Sequence, residues 1–205
     1  SILAIADRAI MLDKDSRGWS LSLGERRVRP ETGPCVHLGV ALTKGRKLDR
    51  VVRMATETGV RAIETFTCER SIARPRSTDD ANRIARWKSI VSEAARQAGR
   101  TIVPEILPPC PLEALLEKRP EPVRLILHQE KSECDGSLPR LLAETPEGKR
   151  LLLVGPEGGF CPRELEAARA SGFRAASLDL PVMRAETAAI VVAAIGCLDT
   201  RLWVG

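Results

Sequence analysis

Tyrosine is absent from this 205-residue chain, which has only three phenylalanines and three tryptophans. Recognition of several splayed bases by aromatic stacking is therefore an unattractive hypothesis, because that mode needs several exposed rings. The G-x-G-x-x-G and G-x-x-x-x-G-K-[ST] fingerprints are also missing. These absences exclude a classical dinucleotide fold and a P-loop, so a nucleoside site here must use another geometry.

Clustered metal ligands and long apolar runs are lacking too. The six cysteines are scattered without a C-x-x-C pair, which predicts reduced thiols rather than a disulfide framework. Cys35 and His37 alternate along a predicted strand, but two ligands do not make a metal site, so no metal is predicted. No segment approaches the ~20 apolar residues of a membrane span, and residues 1–7 lack the basic region of a signal peptide. We predict a cytoplasmic protein.

Positive charge is concentrated in one region of the chain. Residues 44–100 contain 14 Lys and Arg against 7 Asp and Glu, a local net charge of +7, whereas the whole chain has +5. Cationic side chains gathered on one region attract phosphates without regard to sequence. The pattern indicates a polyanionic partner, and the alternative is a solvated arginine-rich face.

Strands and helices alternate from residue 34 onward. This order is typical of an α/β fold with a mostly parallel sheet and helices on both faces. The predicted strands are 36–42, 60–67, 102–106, 123–128, 151–154 and 175–180. The predicted helices are 47–58, 78–98, 162–171 and 185–202, with short ones from Pro111 and near Leu138.

The first 33 residues form a separate predicted segment. Residues 2–12 and 19–28 are predicted as two strands around a turn at residues 15–18, a hairpin at most. Two strands alone are marginally stable and need support from other residues. We therefore divide the chain into an N-terminal β segment, 1–33, and a main domain, 34–205.

Two loops each lie between a predicted strand and a helix, and the first of them is rich in glycine. The first follows an apolar strand and contains Gly155, Gly158 and Gly159, which permit special backbone angles or close approach of a ligand. The second, 177–188, opens onto the last helix. Ligands of open α/β sheets bind beyond the carboxyl ends of the strands, so these loops and the loop after strand 123–128 are expected to share one pocket.

The two loops together resemble the signature of the ribosomal RNA small subunit methyltransferase E family, in the SPOUT class of S-adenosylmethionine-dependent RNA methyltransferases. The resemblance lies in Gly155-Pro156-Glu157-Gly158-Gly159-Phe160 followed by Met183-Arg184-Ala185-Glu186-Thr187-Ala188. Five blocks upstream agree in order, and they are Thr43 to Gly45, Ala55 to Val60, Glu69 to Ser71, Arg86-Trp87 and Glu93 to Arg100. The resemblance covers about residues 34 to 205.

The resemblance implies a fold and an activity that composition does not show. It implies a C-terminal trefoil knot that holds S-adenosyl-L-methionine, and a small β (PUA-like) RNA-binding domain of which 1–33 is the latter part. The implied reaction is methylation of N3 of a uridine in small-subunit (16S) ribosomal RNA, by a homodimer. Two alternatives stay open, a catalytically impaired RNA-binding protein of the same fold and a SPOUT enzyme acting on another RNA, such as a transfer RNA ribose.

The three loops give a predicted set of cofactor-binding residues. They are Leu127, His128, Val154, Gly155, Pro156, Glu157, Gly158, Gly159, Leu178, Asp179, Leu180, Val182, Met183, Thr187 and Ala188. The upstream blocks and the basic region give a predicted RNA-binding set, with surface salt bridges as the alternative for several members. That set is Lys44, Arg46, Arg70, Ser71, Arg96 and Arg100.

Three charged residues are candidates for the chemistry. N3 of a neutral uridine is protonated, so charge that develops on the ring needs a cation, and Arg184 is the predicted one. Glu186 and Glu157 are the predicted proton acceptors. Each residue also has an alternative role. Glu186 could cap the helix, and Glu157 could brace the turn or contact a dimer partner. Arg184 could pair with either carboxylate or with a phosphate.

Two positions depart from the family pattern. Asp179 stands where the family usually has glycine, and Met183 stands where leucine usually precedes the arginine. Asp179 is expected either to bind a ribose hydroxyl or to impair the loop, if the backbone there needs a positive φ.

Overall fold

The computed structural model describes residues 2–5, 8–15, 18–26, 31, 33–43, 45–71, 77–117, 121–144 and 148–198. Its N-terminal part is an antiparallel sheet of β1 (Ile2–Ile5), β2 (Arg8–Asp15) and β3 (Gly18–Arg26), with β2 in the centre. The predicted two-strand hairpin is therefore wrong in strand number. Ile5 pairs with Arg8, so the run predicted as one strand folds back on itself.

The main sheet has seven strands in the described part of the chain, and every neighbouring pair is parallel. Its order is β6-β5-β4-β9-β7-β10-β8. The strands are β4 (Cys35–Ala41), β5 (Ala62–Thr67), β6 (Glu105–Pro111), β7 (Val123–Leu127), β8 (Gly136–Ser137), β9 (Lys149–Val154) and β10 (Arg174–Ser177). The predicted α/β class with a parallel sheet is confirmed.

The described part of the chain has six α-helices, five that lie between strands of the main sheet and one that follows its last strand. They are α1 (Lys47–Thr58), α2 (Ser77–Gln97), α3 (Leu112–Glu117), α4 (Leu138–Ala143), α5 (Pro162–Ala170) and α6 (Ala185–Cys197), and a 3₁₀ turn covers Lys131–Glu133. Gly59 ends α1 in the left-handed conformation at φ 113°, a backbone state in which glycine has no steric cost. None of the helices in the described ranges combines the length and apolarity that crossing a membrane requires.

Alternation along β9 places helices on both faces of the sheet. Leu152 and Val154 belong to one buried cluster, which also contains side chains of α1, α2, α4 and α6. Leu151 and Leu153 point the other way into a second cluster, which contains side chains of α3 and α5. Because successive residues of a strand face opposite sides, a continuous run of leucines is what a strand covered on both faces requires.

Several predicted boundaries are displaced by two residues or more. β6 begins at Glu105 instead of residue 102, because the backbone N–H groups of Thr101 and Ile102 both donate to a Glu31 carboxylate oxygen at 2.9 Å. β10 ends at Ser177 because Asp179 has φ 53°, which no strand accommodates. The helix predicted to reach residue 202 ends at Cys197, and that predicted end lies outside the described residues.

The buried arginine Arg150 stabilises the end of α6. Its guanidinium donates to the carbonyl oxygens of Gly196 at 2.6 Å and Leu198 at 3.2 Å, and its side chain is fully buried. A cation at a helix C-terminus meets the partial negative charge of the last carbonyl groups. This contact fixes α6 against β9 and so helps to position the loop that precedes the helix.

Candidate active site

A cavity of about 290 Å³ lies beyond the carboxyl ends of β7, β9 and β10, three strands that are neighbours in the sheet. The loops that follow these strands form its wall, as the sequence analysis predicted for one shared pocket. The wall consists of Arg70, Leu127 to Lys131, Val154 to Phe160, Ser177 to Met183, Ala185 and Ala188.

The predicted cofactor set and this wall agree closely. Every predicted member lines the cavity except Thr187, which is exposed in the first turn of α6. Wall residues that the sequence analysis did not name for this role are Arg70, Gln129, Glu130, Lys131, Phe160, Ser177, Pro181 and Ala185. They adjoin predicted residues or, like Arg70, come from a distant part of the chain that only folding brings near.

The glycines of the first loop serve different geometric needs. Gly159 has φ 68°, the left-handed region that glycine occupies without strain. Gly155 is instead required by packing, because a Cβ there would lie 2.9 Å from the Phe160 ring. That ring stacks on Phe66 at 6.0 Å between centroids, so the turn is anchored in the core under the cavity.

Asp179 has the positive φ that the sequence analysis considered as a cause of impairment. At φ 53° its backbone is left-handed, a conformation that Asp tolerates better than most residues. Its Oδ1 accepts a hydrogen bond from Ser177 Oγ at 3.0 Å and lies 2.8 Å from Lys131 Nζ. Hydrogen bonds from Lys131 and then Ser177 lower the pKa of the Asp179 carboxyl, so it is ionised at neutral pH.

Lys47 connects the two candidate proton acceptors, and the sequence analysis did not single it out. Its Nζ lies 2.8 Å from Glu157 Oε1 and 4.0 Å from Glu186 Oε2. The hydrogen bond from Lys47 lowers the pKa of Glu157, and the same bond raises the pKa of Lys47. Lys47 is the first residue of α1 and nothing in the local pattern distinguishes it from nearby basic residues, so only tertiary structure identifies it.

The candidate residues around the start of α6 lie beside the cavity. Arg184 is the exposed N-cap residue of the helix, and Glu186 is in its first turn. The Glu186 side chain is 14% exposed, and its Oε2 is buried without a hydrogen-bond partner among the described residues. The carboxylates Glu157 and Glu186, considered as partners of Arg184, instead form ion pairs with Lys47.

The predicted RNA-binding residues fall into different environments. Arg46 is exposed before α1, and Arg96 is exposed in a 2.6 Å ion pair with Glu93. Ser71 lines a second cavity of about 740 Å³, and its Oγ accepts a hydrogen bond from the Cys68 N–H at 3.0 Å. Lys44 lies outside the described residues.

Arg100 differs from the rest of that set because its guanidinium is engaged within the protein. Its side chain is 6% exposed and donates to the carbonyl oxygens of Thr56, Gly59 and Val60 at 2.8 to 3.2 Å. It also contacts both carboxylate oxygens of Glu31. These contacts close the C-terminal end of α1, so the geometry gives Arg100 a structural role and leaves its donors directed away from a ligand.

Four of the six cysteines have the environment of inert thiols. Burial raises the pKa of Cys68, Cys134 and Cys161, and it raises the pKa of Cys197 to about 11. A thiol with a raised pKa is protonated at neutral pH and is a poor nucleophile. Within the described ranges no three His, Cys, Asp or Glu side chains are grouped so as to hold a metal ion.

Comparison with known proteins shows that this fold and its cavity belong to an RNA methyltransferase domain. Residues 31–196 match the family model of the RNA methyltransferase domain. The chain is 32% identical over 191 residues to the ribosomal RNA small subunit methyltransferase E of Mycobacterium bovis, covering 90% of this chain and 68% of the relative. The chain therefore belongs to the ribosomal RNA small subunit methyltransferase E family.

Two further comparisons define the extent of the similarity. The Synechocystis relative of the same name is 32% identical over 160 residues, and the match spans about half of its length, 52%, and 78% of this chain. A solved structure of the Neisseria gonorrhoeae enzyme of this name, bound to S-adenosyl methionine, superposes with a TM-score of 0.76 at 28% identity. That superposition covers 91% of this chain and 76% of the other.

Proposed function

We propose that the chain binds S-adenosyl-L-methionine in the 290 Å³ cavity and methylates N3 of a uridine in small-subunit ribosomal RNA. The observation that carries this proposal is the meeting of three loops from adjacent strands around one cavity, in a member of this family. The similar Neisseria gonorrhoeae protein was solved bound to S-adenosyl methionine. The cavity volume lies near the lower end of the range for small-molecule sites.

The wall residues suit a ligand with an adenosine part and a charged part. Leu127, Leu178 and Ala188 provide apolar surface at the base of the cavity, where they pack against the core. The ionised Asp179 carboxylate lines the cavity and is an acceptor suited to ribose hydroxyl groups. The donor supplies an electrophilic methyl group on a sulfonium, and the chain's own residues supply position and charge.

Arg184 and Glu186 are the proposed reactive pair. Arg184 is exposed beside Met183, a wall residue, so its permanent charge can stabilise negative charge developing on the uracil ring. Glu186 is favoured over Glu157 as proton acceptor, because Glu157 accepts a 2.8 Å hydrogen bond from Lys47 and has a lowered pKa, whereas Lys47 Nζ is 4.0 Å from Glu186. A carboxyl held at a low pKa is a weak base. Glu186 instead presents an oxygen without a hydrogen-bond partner in the described chain.

Exposed apolar side chains beside the cavity support the proposed homodimer. Leu180 is 53% exposed and Val182 is 82% exposed, both on the cavity wall. The α6 helix that follows is apolar on nearly all sides, and only part of it is buried by this chain. A second copy covering this surface would remove it from water. The trefoil knot, the PUA-like nature of residues 1–33, RNA contacts at Arg46, Arg70 and Arg96, and a cytoplasmic location stay predictions.

The test is methyl transfer from labelled S-adenosylmethionine to unmodified small ribosomal subunits, with nucleoside analysis of the product. We compare the intact chain with Arg184→Ala and with a matched control, Arg140→Ala, an arginine whose side chain is 74% exposed in α4. The expected product is 3-methyluridine, with a rate reduced about a hundredfold in Arg184→Ala, because removing one charge-stabilising donor typically costs that much. The control is expected to match the unmodified chain.

Two results distinguish the alternatives. Cofactor and subunit binding without transfer would refute the enzyme and favour the RNA-binding protein of the same fold. Transfer to a different RNA or a different nucleoside atom would favour the related SPOUT activity.

A further inference from the structure

One buried carboxylate joins two loops that are far apart in the sequence. Glu164, the third residue of α5, is 7% exposed. Its Oε1 accepts a hydrogen bond from the backbone N–H of Glu69 at 2.6 Å, and its Oε2 accepts one from the N–H of Cys161 at 2.8 Å. The second bond is part of an ordinary capping box at the start of α5. The first bond is not needed for capping and crosses 95 positions of the chain.

The loop held by Glu164 carries a residue of the cavity wall. Arg70 follows Glu69 directly, lines the cavity, and donates from Nη1 to the carbonyl oxygen of Gly158 at 2.7 Å. A Cβ at Gly158 would lie 3.3 Å from Arg70 Cδ, so the arginine stem lies directly against the glycine turn. The loop after β5 is therefore tied to the segment after β9 by the buried Glu164 and by Arg70 at the cavity, and Cys161 Sγ adds a hydrogen bond to Glu69 Oε2 at 3.4 Å.

We propose that Glu164 is a positioning residue for the cofactor site, and that it acts through Arg70. By fixing the N–H groups of Glu69 and Cys161, it holds Arg70 against Gly158 before a ligand arrives. A site whose wall is already ordered does not lose binding energy in ordering it. Charge-assisted hydrogen bonds from backbone N–H groups to a buried carboxylate are strong enough to hold the loop in this way. The inference rests on the proposed function, because it takes the ligand to be S-adenosyl-L-methionine.

The first test replaces Glu164 by glutamine and measures the dissociation constant of S-adenosyl-L-methionine by calorimetry. Glutamine keeps the size of the side chain, but its NH₂ group faces a backbone N–H, so one of the two bonds is lost. We expect the dissociation constant to rise about tenfold, the effect of losing one hydrogen bond to a charged group. The rise in KM for the cofactor should exceed the fall in kcat. The matched control is Glu166→Gln, an exposed carboxylate two residues along the same helix, which should change affinity less than twofold.

The second test asks whether Glu164 acts through Arg70. Arg70→Met is expected to weaken cofactor binding about as much as Glu164→Gln does. The variant with both substitutions should bind no more weakly than whichever single variant binds more weakly. Additive losses would overturn the inference, because they would mean two independent routes to the cofactor. Unchanged affinity in a folded Glu164→Gln protein would overturn it as well.

A third measurement covers the case in which Glu164→Gln fails to fold. In the unmodified protein, hydrogen exchange should show the Glu69 amide protected, although it lies in a loop, and more strongly protected once S-adenosyl-L-methionine is added. If the Glu69 amide exchanges as fast as exposed loop amides, Glu164 does not hold this loop and the inference is refuted. If the unmodified chain does not bind the cofactor, the proposed function is refuted instead. The exchange rate of the Glu69 amide without ligand would still test whether Glu164 holds this loop.

Discussion

Replacing Arg100 by methionine tests whether this arginine stabilises the fold, in contrast to Arg96, a surface arginine on the same segment. Arg96 and Arg100 both belong to the predicted RNA-binding set, only four positions apart. In the structure the Arg100 side chain is 6% exposed, whereas the Arg96 side chain is 65% exposed. Methionine preserves much of the stem of the side chain and removes all of its donors.

The magnitude follows from the groups that Arg100 would leave behind. Three carbonyl oxygens at the end of α1 would lose a charged donor, and Glu31 would lose its closest cation. Breaking a buried charge pair by removing one partner typically costs about 3–5 kcal/mol. Glu31 is itself 21% exposed and keeps some hydration, so we expect the lower end, about 3 kcal/mol. For a chain of this size that corresponds to a Tm lowered by roughly 6–12 °C.

The assay is thermal and denaturant unfolding of the Arg100→Met and Arg96→Met proteins beside the unmodified chain. Arg96→Met should unfold within error of the unmodified chain, because exposed ion pairs contribute little. Burial opposes ionisation of Glu31, but hydrogen bonds from Arg100 and the backbone of Ile102 outweigh it and lower the pKa of that carboxyl. The stability difference should therefore be complete above the ordinary carboxylate pKa and shrink as the pH falls through the lowered one.

Equal stability of the two variants would refute this reasoning. A loss of RNA binding by folded Arg100→Met, with no loss of stability, would instead return Arg100 to the RNA-binding surface. Neither result would bear on the cavity, because Arg100 lies away from its wall.

Two further predictions concern the cavity itself. Lys47→Gln should lower Tm slightly at pH 7, because a lowered Glu157 pKa makes the ion pair stabilising above the ordinary carboxylate pKa. This difference should shrink as the pH falls through the lowered Glu157 pKa, and a difference that does not change with pH would contradict the ion pair. Asp179→Val should bind the cofactor about tenfold more weakly than Asp179→Gly in calorimetry, because both variants lack the carboxylate proposed to bind the ribose and only the β-branched residue is strained at φ 53°; equal binding by both variants would show that this backbone angle is unimportant.

Local pattern was sufficient to predict most of the main domain. The apolar run of β9, the glycine at the end of α1 and the proline at the start of α5 predict their elements because each acts within a few residues. The N-terminal segment was predicted less well. No turn signal between Ile5 and Arg8 was recognised, and the pairing of β1 with β2 depends on the chain folding back.

The cavity was predictable for a related reason. Its wall comes mainly from three loops that each follow a strand, and parallel strands bring their carboxyl ends to one edge of the sheet. Order along the chain therefore indicated which loops meet, and the motif around Gly155 to Phe160 indicated what they bind.

The sequence by itself determined the α/β class, the strand-and-helix order and the three loops that form the cavity, because these depend on periodicity and on short motifs. Tertiary structure alone decided which charged residues work together. Lys47 joins Glu157 across 110 positions, and Glu164 joins Glu69 across 95. Tertiary structure also buries Arg100 against the C-terminal end of α1, whereas Arg96 stays exposed to solvent. Such pairings depend on burial and on the distance between remote segments, and neither can be predicted from the local sequence.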